Sequence, residues 1–475
     1  MQMYVAGEWR GSPLEDEVRS PYSGEVVDTV PRATDEDVEQ ALGAALVGAH
    51  TMRRLSAYDR AAIVNRAADL LAEAADEFAR TISAEEGKPL SEALGEARRT
   101  PDLLRVAASE GARMHGETIP VDAAPGNADK IAFTIRQPCG VVVAITPFNY
   151  PLLLVAHKVA PALAAGNAVI LKPASQTPLV ALKLTRLFLE AGLPEHALQC
   201  LTGPGSTVGP ALCADARVRK ISFTGSKDVG EGVTAVAGVK RLSLELGSSC
   251  PLIVLPDADL EQVASATATG GYVNAGQACI SVQRVLVGRE VYGDFLDALR
   301  PKVESIKVGD PFEDGTGVSA LISEREAERV EDVIRRAVDD GAALVTGGER
   351  EGGVVQPAIV ADVSPEMAIS RDELFGPAVA VSAVDGIDEA IELANATEYG
   401  LGAGIFTSDV TNALRFARDV DCGNVQINNT PLWRADLMPY GGLKGSGIGK
   451  EGPRYAIEEM TELKSVVFHG IGGRE

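Results

Sequence analysis

Between residues 140 and 246, five short apolar runs are separated by four stretches of helical pattern. The runs are "GVVVAIT" (140–146), "NAVILK" (167–172), "ALQCLT" (197–202), "RKISFT" (219–224) and "RLSLEL" (241–246). Parallel neighbours in a sheet can be reached only through a crossover, so strand–helix–strand at this rhythm predicts a parallel sheet covered on both faces. A second series runs from "PLIVL" (251–255) through "QRVLVG", "AALVTGG", "AVAVSAV" and "LGAGIFT" to "GNVQIN" (423–428). The chain therefore reads as two α/β lobes, as its 475 residues, too many for one core, also suggest. Residues 35–112 carry a helical pattern opened by a capping-box-like Thr34-x-x-Asp37. "KIAFTIRQ" (130–137) alternates like a strand. "TELKSVVFHG" (461–470) reads as another, set apart from both series and free to reach a neighbouring subunit.

The balance of charge limits the partners. A formal net charge of −23 excludes nucleic acid and anionic membrane, both of which demand a basic surface. The cysteines (Cys139, Cys200, Cys213, Cys250, Cys279, Cys422) form no C-x-x-C pair and no metal-ligand spacing, which favours a reduced compartment and predicts no metal site. "MQMYVAGEWR" lacks the basic stretch and apolar core of a signal peptide. The most apolar stretch, 141–155, is interrupted by Pro147, Asn149 and Pro151 and cannot span a bilayer as one helix. These features predict a cytoplasmic protein.

Several positions have the residue types and settings that chemistry needs. Cys279, in "NAGQACIS", follows a stretch that reads as a helix ending in glycine, and small polar neighbours would let a ligand approach the thiol. Packing is the commoner use of a cysteine, and both uses fit the local sequence. A cysteine hydrolase would need a partner histidine, and none of the five sits in a turn-rich setting; His157 falls within a helix as a structural residue would. Glu245 ends an apolar run and precedes Gly247. It reads either as a cap or ion-pair partner or as a general base whose pKa burial raises. Asn149, in "TPFNYP", lies past a strand end, where its amide suits either an oxyanion or the cap of the next helix. "FTGSKDVG" (223–230) spaces Gly225 and Gly230 so that a turn can seat a pyrophosphate on a helix N-terminus, and Lys172 ends the run "VILK" within reach of a ribose or phosphate.

Taken together, "EEGKPLSEA" (85–93), "TPFNYP", "LKPASQTP", "FTGSKDVG", "LELGSSCP", "NAGQACIS", "ELFGP" (373–377) and "MPYGGLKGSGIGKEG" (438–452) resemble, in order and over nearly the whole chain, the aldehyde dehydrogenase superfamily. The likeness is nearest to lactaldehyde, succinate-semialdehyde, phosphonoacetaldehyde and non-phosphorylating glyceraldehyde-3-phosphate dehydrogenases. The resemblance implies an α/β fold in three parts. These are a Rossmann-like NAD(P)-binding domain (1–117 and 136–247), an α/β catalytic domain (248–450) and a small β oligomerisation arm (118–135 and 451–475) serving a homodimer or homotetramer.

Residue by residue, the resemblance makes Cys279 the nucleophile and Glu245 the base, with Asn149 in the oxyanion hole. It assigns the dinucleotide, NAD or NADP, to Thr146 and Pro147, Lys172 and Ser175, Gly205 and Gly209, Gly225 and Ser226, and Gly247, with Glu373 and Phe375 at the nicotinamide ribose and ring. Many NAD-preferring members carry Glu where this chain has Ser175; its absence removes a repulsion from a 2′-phosphate and so permits NADP. Arg99, Tyr150 and Arg434 are the candidate substrate contacts, for a short hydroxy- or acid-bearing aldehyde. The two arginines read equally well as ion-pair residues, and Ala278 stands where several acid-aldehyde members place an arginine. Two other functions are compatible with the fold. A CoA-acylating enzyme would generally lack the base at Glu245, and a non-catalytic structural protein would have lost catalytic residues, yet all are present.

Overall fold

The computed structural model describes residues 1–471, so the last four residues of the expected arm lie outside the described residues. Thr34 caps the helix Asp35–Arg54 in a complete capping box with Asp37, as the spacing predicts. The helices Ala57–Glu73, Ala75–Glu86 and Leu90–Ala112 follow.

All five runs of the first series become strands of one sheet. Across it lie Leu198–Cys200, Ala168–Lys172, Val141–Ile145, Val218–Thr224 and Arg241–Glu245, each parallel to its neighbour. The chain starts at Val141–Ile145, steps outward twice, then returns to the other side of that first strand. The order therefore reverses between Val141–Ile145 and Val218–Thr224, where an open parallel sheet leaves a crevice beyond its carboxyl ends. Thr146, Pro147 and Asn149 follow one of these strands, Gly225 and Ser226 the other. Helices cover both faces. Val142, Val143, Ile170 and Ile221 are fully buried, and each contributes about 2 kcal/mol relative to exposure.

Three edge strands were not legible in the apolar pattern. Met3–Val5 and Glu8–Arg10 add antiparallel beyond Leu198–Cys200, and Gly447–Ile448 adds antiparallel beyond Arg241–Glu245. Through this last pairing a late segment of the chain meets the strand that ends in Glu245.

The second series forms a sheet ordered Ala343–Thr346, Ala358–Ala361, Ala378–Val384, Arg284–Gly288, Pro251–Val254, Gly402–Phe406 and Asn424–Ile427. It is parallel except at Ala343–Thr346. Ala358–Ala361 is the member absent from the series read in the sequence. Ile131–Pro138 pairs antiparallel along its whole length with Thr461–Phe468 and, at one end, with Thr118–Ile119. This small sheet exposes Ile131, Leu463 and Phe468. Among the described residues, no helix is long and apolar enough to cross a membrane.

Candidate active site

Cys279 is presented by an unusual turn. After the helix Leu260–Gly270, three consecutive residues, Asn274, Ala275 and Gly276, take positive φ (50°, 53° and 72°). Asn tolerates this conformation, Ala does so at a cost of about 1–3 kcal/mol, and the surroundings must hold it there. At Gly276 a Cβ would meet the Gly376 carbonyl oxygen at 2.0 Å, so only glycine fits. The turn is clamped by carboxylates: Glu86 accepts from the Asn274 side chain (2.6 Å) and Glu92 from its backbone N–H (2.8 Å).

The same carboxylates belong to a buried cluster that carries "EEGKPLSEA" and Glu96. Lys88 Nζ lies 2.7 Å from Glu96, 3.1 Å from Glu86 and 4.0 Å over the Tyr150 ring, and donates to the Asn149 carbonyl (2.6 Å). Burial works against the Lys88 ammonium, but Glu86 and Glu96 more than offset it and hold its pKa above the ordinary lysine range. Glu96 also accepts from the N–H groups of Leu152 and Leu153, capping the helix Leu153–Ala164. Asn149 is therefore not that helix's cap. Its side-chain amide donates to the Gln277 carbonyl (2.7 Å), two residues before Cys279. Sequence reasoning did not single out Lys88, Glu86 or Glu96; the signal was the motif itself, quoted only for its likeness.

The thiol stands between two hollows. On one side is a cavity of about 620 Å³ whose wall includes Arg99, Tyr150, Trp433 and Arg434 as well as Cys279. On the other is a narrow cleft lined by Cys279, Gly276, Glu373 and Phe375. Burial pushes the Cys279 thiol up to about 12, while a 3.0 Å contact with the Tyr440 hydroxyl pulls it down.

Glu245 ends its strand buried, and neither of its carboxyl oxygens has a hydrogen-bond partner. It is thus neither a cap nor half of a hydrogen-bonded ion pair. Burial first, then the charge of nearby Glu451, push its pKa well above the carboxylate range, with Arg434 and Lys158 opposing. Glu451 is held by Lys158 (2.6 Å) and Arg434 (3.3 Å); burial disfavours its charge, but Lys158, His157 and Arg434 bring its pKa down to about 2. His157 is fully buried against Asp436 (3.2 Å), and burial and Arg434 lower its pKa to about 4, which leaves it neutral. Arg99 holds the same Asp436 through Nε (2.6 Å). Both arginines therefore make ion pairs within the chain and also line the cavity.

The residues expected to hold a dinucleotide sit along the sheet crevice. Thr146 Oγ1 is buried without a partner, and Ser226, the N-cap of the helix Lys227–Ala237, makes no side-chain cap bond. A Cβ on Gly225 would strike Phe223 at 2.6 Å, while Gly205 and Gly209 have nothing nearby, so the backbone there is open to a ligand. Lys172 is buried, which lowers its pKa to about 8, and donates to the Pro173 carbonyl (2.6 Å); the exposed Ser175 donates to the Gly203 carbonyl. Gly247 lies so close to Glu373 that a Cβ would sit 2.6 Å from its carboxylate. Burial raises Glu373 to about 7. Phe375, at φ 51°, packs edge-on against Phe148. Unsatisfied donors, open helix N-termini and uncovered glycines suit a pyrophosphate and ribose.

The sequence profile of the aldehyde dehydrogenase family matches residues 9–466. A 3-sulfolactaldehyde dehydrogenase of Priestia aryabhattai is 44% identical, covering 98% of each chain. A lactaldehyde dehydrogenase of Methanococcus aeolicus is 38% identical over 98% of this chain and 100% of its own. The crystal structure of a glyceraldehyde-3-phosphate dehydrogenase from Methanocaldococcus jannaschii, complexed with NADP, superposes with a TM-score of 0.93 at 38% identity, covering 96% of this chain and 100% of that one. The chain belongs to the aldehyde dehydrogenase family of NAD(P)-dependent oxidoreductases. The expected family and α/β fold are borne out.

Proposed function

We propose that the protein oxidises a short hydroxy- or acid-bearing aldehyde to the free carboxylic acid, with NAD or NADP, through a thioester on Cys279. The observation that carries this reading is the thiol between a substrate-sized cavity and the Glu373–Phe375 cleft, beside a buried carboxylate with no partner. Cys279 gives up its proton to solvent water and attacks the carbonyl carbon, while the Asn149 amide and the Cys279 N–H receive the negative oxygen. When bound in the crevice, the nicotinamide supplies the acceptor for the hydride that the resulting carbon centre gives up. Cys279 then carries the acyl group. Glu245 takes a proton from water, the hydroxide attacks the thioester, and the acid departs as the thiol is restored. A carboxyl with a raised pKa suits that step, since it binds the proton it removes near neutral pH. Lys172, Ser175, Gly225 and Ser226 would hold the adenosine and pyrophosphate, with Thr146, Pro147, Gly205, Gly209 and Gly247 around them and Glu373 and Phe375 at the nicotinamide end.

Arg99 supports an anionic substituent on the substrate, because its side chain is 40% exposed at the cavity while still paired to Asp436. The three relatives act, by their names, on hydroxyaldehydes, two of them bearing a sulfonate or phosphate. The division into nucleotide (1–117 and 136–247), catalytic (248–450) and arm (118–135 and 451–475) segments belongs to the same proposal. So do a cytoplasmic location and a homodimer or homotetramer, for which the exposed Ile131, Leu463 and Phe468 of the small sheet speak.

The test is the initial rate of nicotinamide reduction across neutral, carboxylate-, phosphate- and sulfonate-bearing short aldehydes, with NAD and NADP in parallel and Cys279→Ser as the blank. Preference for the charged set supports the acid-bearing reading. A flat profile overturns it, and a Cys279→Ser enzyme that keeps its rate overturns the mechanism.

A further inference from the structure

The cavity wall holds a contact that the reaction above leaves unused. Tyr440, 3% exposed, places its hydroxyl 3.0 Å from Cys279 Sγ, and the Arg434 guanidinium lies 3.8 Å over the Tyr440 ring. We infer that Tyr440 is a catalytic residue that donates a hydrogen bond to the Cys279 thiolate, and that Arg434 is a positioning residue that strengthens this donor from the ring face. The inference rests on Cys279 being the nucleophile.

A thiolate at this place needs such a donor. The charged and titratable groups that face Cys279 besides Tyr440 are Glu245, Cys250 and Glu373, and all three disfavour negative charge on sulfur. Among the described residues, the Tyr440 hydroxyl is the one hydrogen-bond partner of Sγ; Cys250 donates instead to the Cys279 carbonyl (3.5 Å). With a neutral thiol either atom can donate, but with a thiolate only the phenol can, and a bond to an ionised acceptor is about twice as strong. Tyr440 is itself faced by Cys279, Glu245 and Arg434, and burial with the first two keeps its own proton on. Arg434 draws on the negative face of the ring and polarises the O–H.

The arrangement is rigid. Tyr440 exchanges backbone hydrogen bonds with Glu451 in both directions, and the Glu451 carboxylate grips Arg434, whose other neighbour is His157 Nδ1 (3.4 Å). Phenol, guanidinium and carboxylate move as one unit that touches the nucleophile on one side and approaches the base Glu245 on the other. Arg434 thus has work at the nucleophile whatever the substrate carries.

The expected magnitude follows from two opposing effects. Losing one charge-assisted hydrogen bond raises a thiol pKa by about one unit, which cuts the thiolate population about tenfold. Each remaining thiolate is about threefold more nucleophilic, since reactivity rises with about half the slope of pKa. The net change is a rate about threefold lower.

The experiment is alkylation of Cys279 by iodoacetamide between pH 6 and 9, read by mass spectrometry on the cofactor-free protein, with Cys422 as the internal reference. Tyr440→Phe, which keeps the ring, is expected to slow Cys279 about threefold at every pH and to leave Cys422 unchanged. Arg434→Gln is expected to slow it about twofold, and to add nothing in the Tyr440→Phe background. A Tyr440→Phe protein alkylated at the wild-type rate or faster overturns the inference, because a merely packing tyrosine would expose the thiol when lost. Equal slowing by Arg434→Gln in both backgrounds overturns the role of Arg434 through Tyr440. Retained turnover in Cys279→Ser would instead sink the underlying mechanism, so the two failures are distinguishable.

Discussion

Replacing Lys88 by Met tests whether the buried charge cluster holds the catalytic loop in place. The ammonium is fully enclosed, with Glu96 at 2.7 Å, Glu86 at 3.1 Å, the Asn149 carbonyl at 2.6 Å and the Tyr150 ring at 4.0 Å. Met fills nearly the same volume, so the loss is electrostatic. Removing one partner of a buried pair leaves the other charge uncompensated and costs about 3–5 kcal/mol. That is a large share of the roughly 5–15 kcal/mol that keeps a domain folded. The variant should therefore unfold at a distinctly lower urea concentration, followed by far-UV circular dichroism and by the fluorescence of Trp9, which packs 5.0 Å from Tyr4 in the eight-stranded sheet. Glu96→Gln in the Lys88→Met background should restore part of the loss, because one of the two uncompensated carboxylates, the other being Glu86, is then neutral. In the same variant, kcat should fall more than KM rises, since the Asn149 backbone would keep only the Asn274 amide (3.1 Å) as its donor. A Lys88→Met protein destabilised by less than about 1 kcal/mol would refute the reasoning, for it would mean that the carboxylates already carry their own protons.

Four more outcomes are expected. Glu245→Gln should give one burst of reduced nicotinamide per Cys279 and then turn over about 10²–10⁴-fold more slowly, with acyl-enzyme visible by mass spectrometry; a wild-type steady state would exclude Glu245 as base. That same residue has a pKa raised in the folded chain, so its stabilising contribution is present below the unfolded carboxyl pKa and is lost as pH rises through the folded value. Glu245→Gln should accordingly flatten the fall in thermal midpoint on the alkaline side, measured by calorimetry across pH. Ser175→Glu should weaken NADP relative to NAD about tenfold or more in KM, from like charges a few ångströms apart worth about 1–2 kcal/mol at high effective permittivity; an unchanged ratio would place the 2′-phosphate elsewhere. Arg99→Ala should cut kcat/KM for an acid-bearing aldehyde by about thirtyfold, the worth of one charge-assisted hydrogen bond, and leave a neutral aldehyde nearly unaffected. Equal losses on both substrates would return Arg99 to a purely structural pairing with Asp436.

Parts of this site are legible because local order places them. Val141–Ile145, Ala168–Lys172, Val218–Thr224 and Arg241–Glu245 announce themselves as apolar runs, and the residues at or just past their carboxyl ends, Asn149, Lys172, Gly225 and Glu245, necessarily converge on one crevice. Antiparallel additions at the sheet edges escape the same logic. Met3–Val5 and Gly447–Ile448 stand outside the strand–helix rhythm that marks the parallel members.

The charged residues escape it for a different reason. Glu92 and Glu96 stand four apart on a helix, and Glu86 and Lys88 flank a glycine, a spacing that ordinarily describes a solvated face. Yet Glu86, Lys88 and Glu96 are each at most 4% exposed. Their partners arrive from later segments: the Asn274 turn, nearly two hundred residues on, donates to Glu86 and Glu92, while the Asn149–Leu153 segment meets Lys88 and Glu96. Tyr440 is hidden in the same way, since the distance that matters is to a thiol 161 residues earlier. A polar side chain reveals its use in sequence only when its partner is a neighbour in sequence. In this protein the groups that meet the Cys279 thiol and the Asn149 loop are supplied from other segments of the chain, so they become visible only when the turns close.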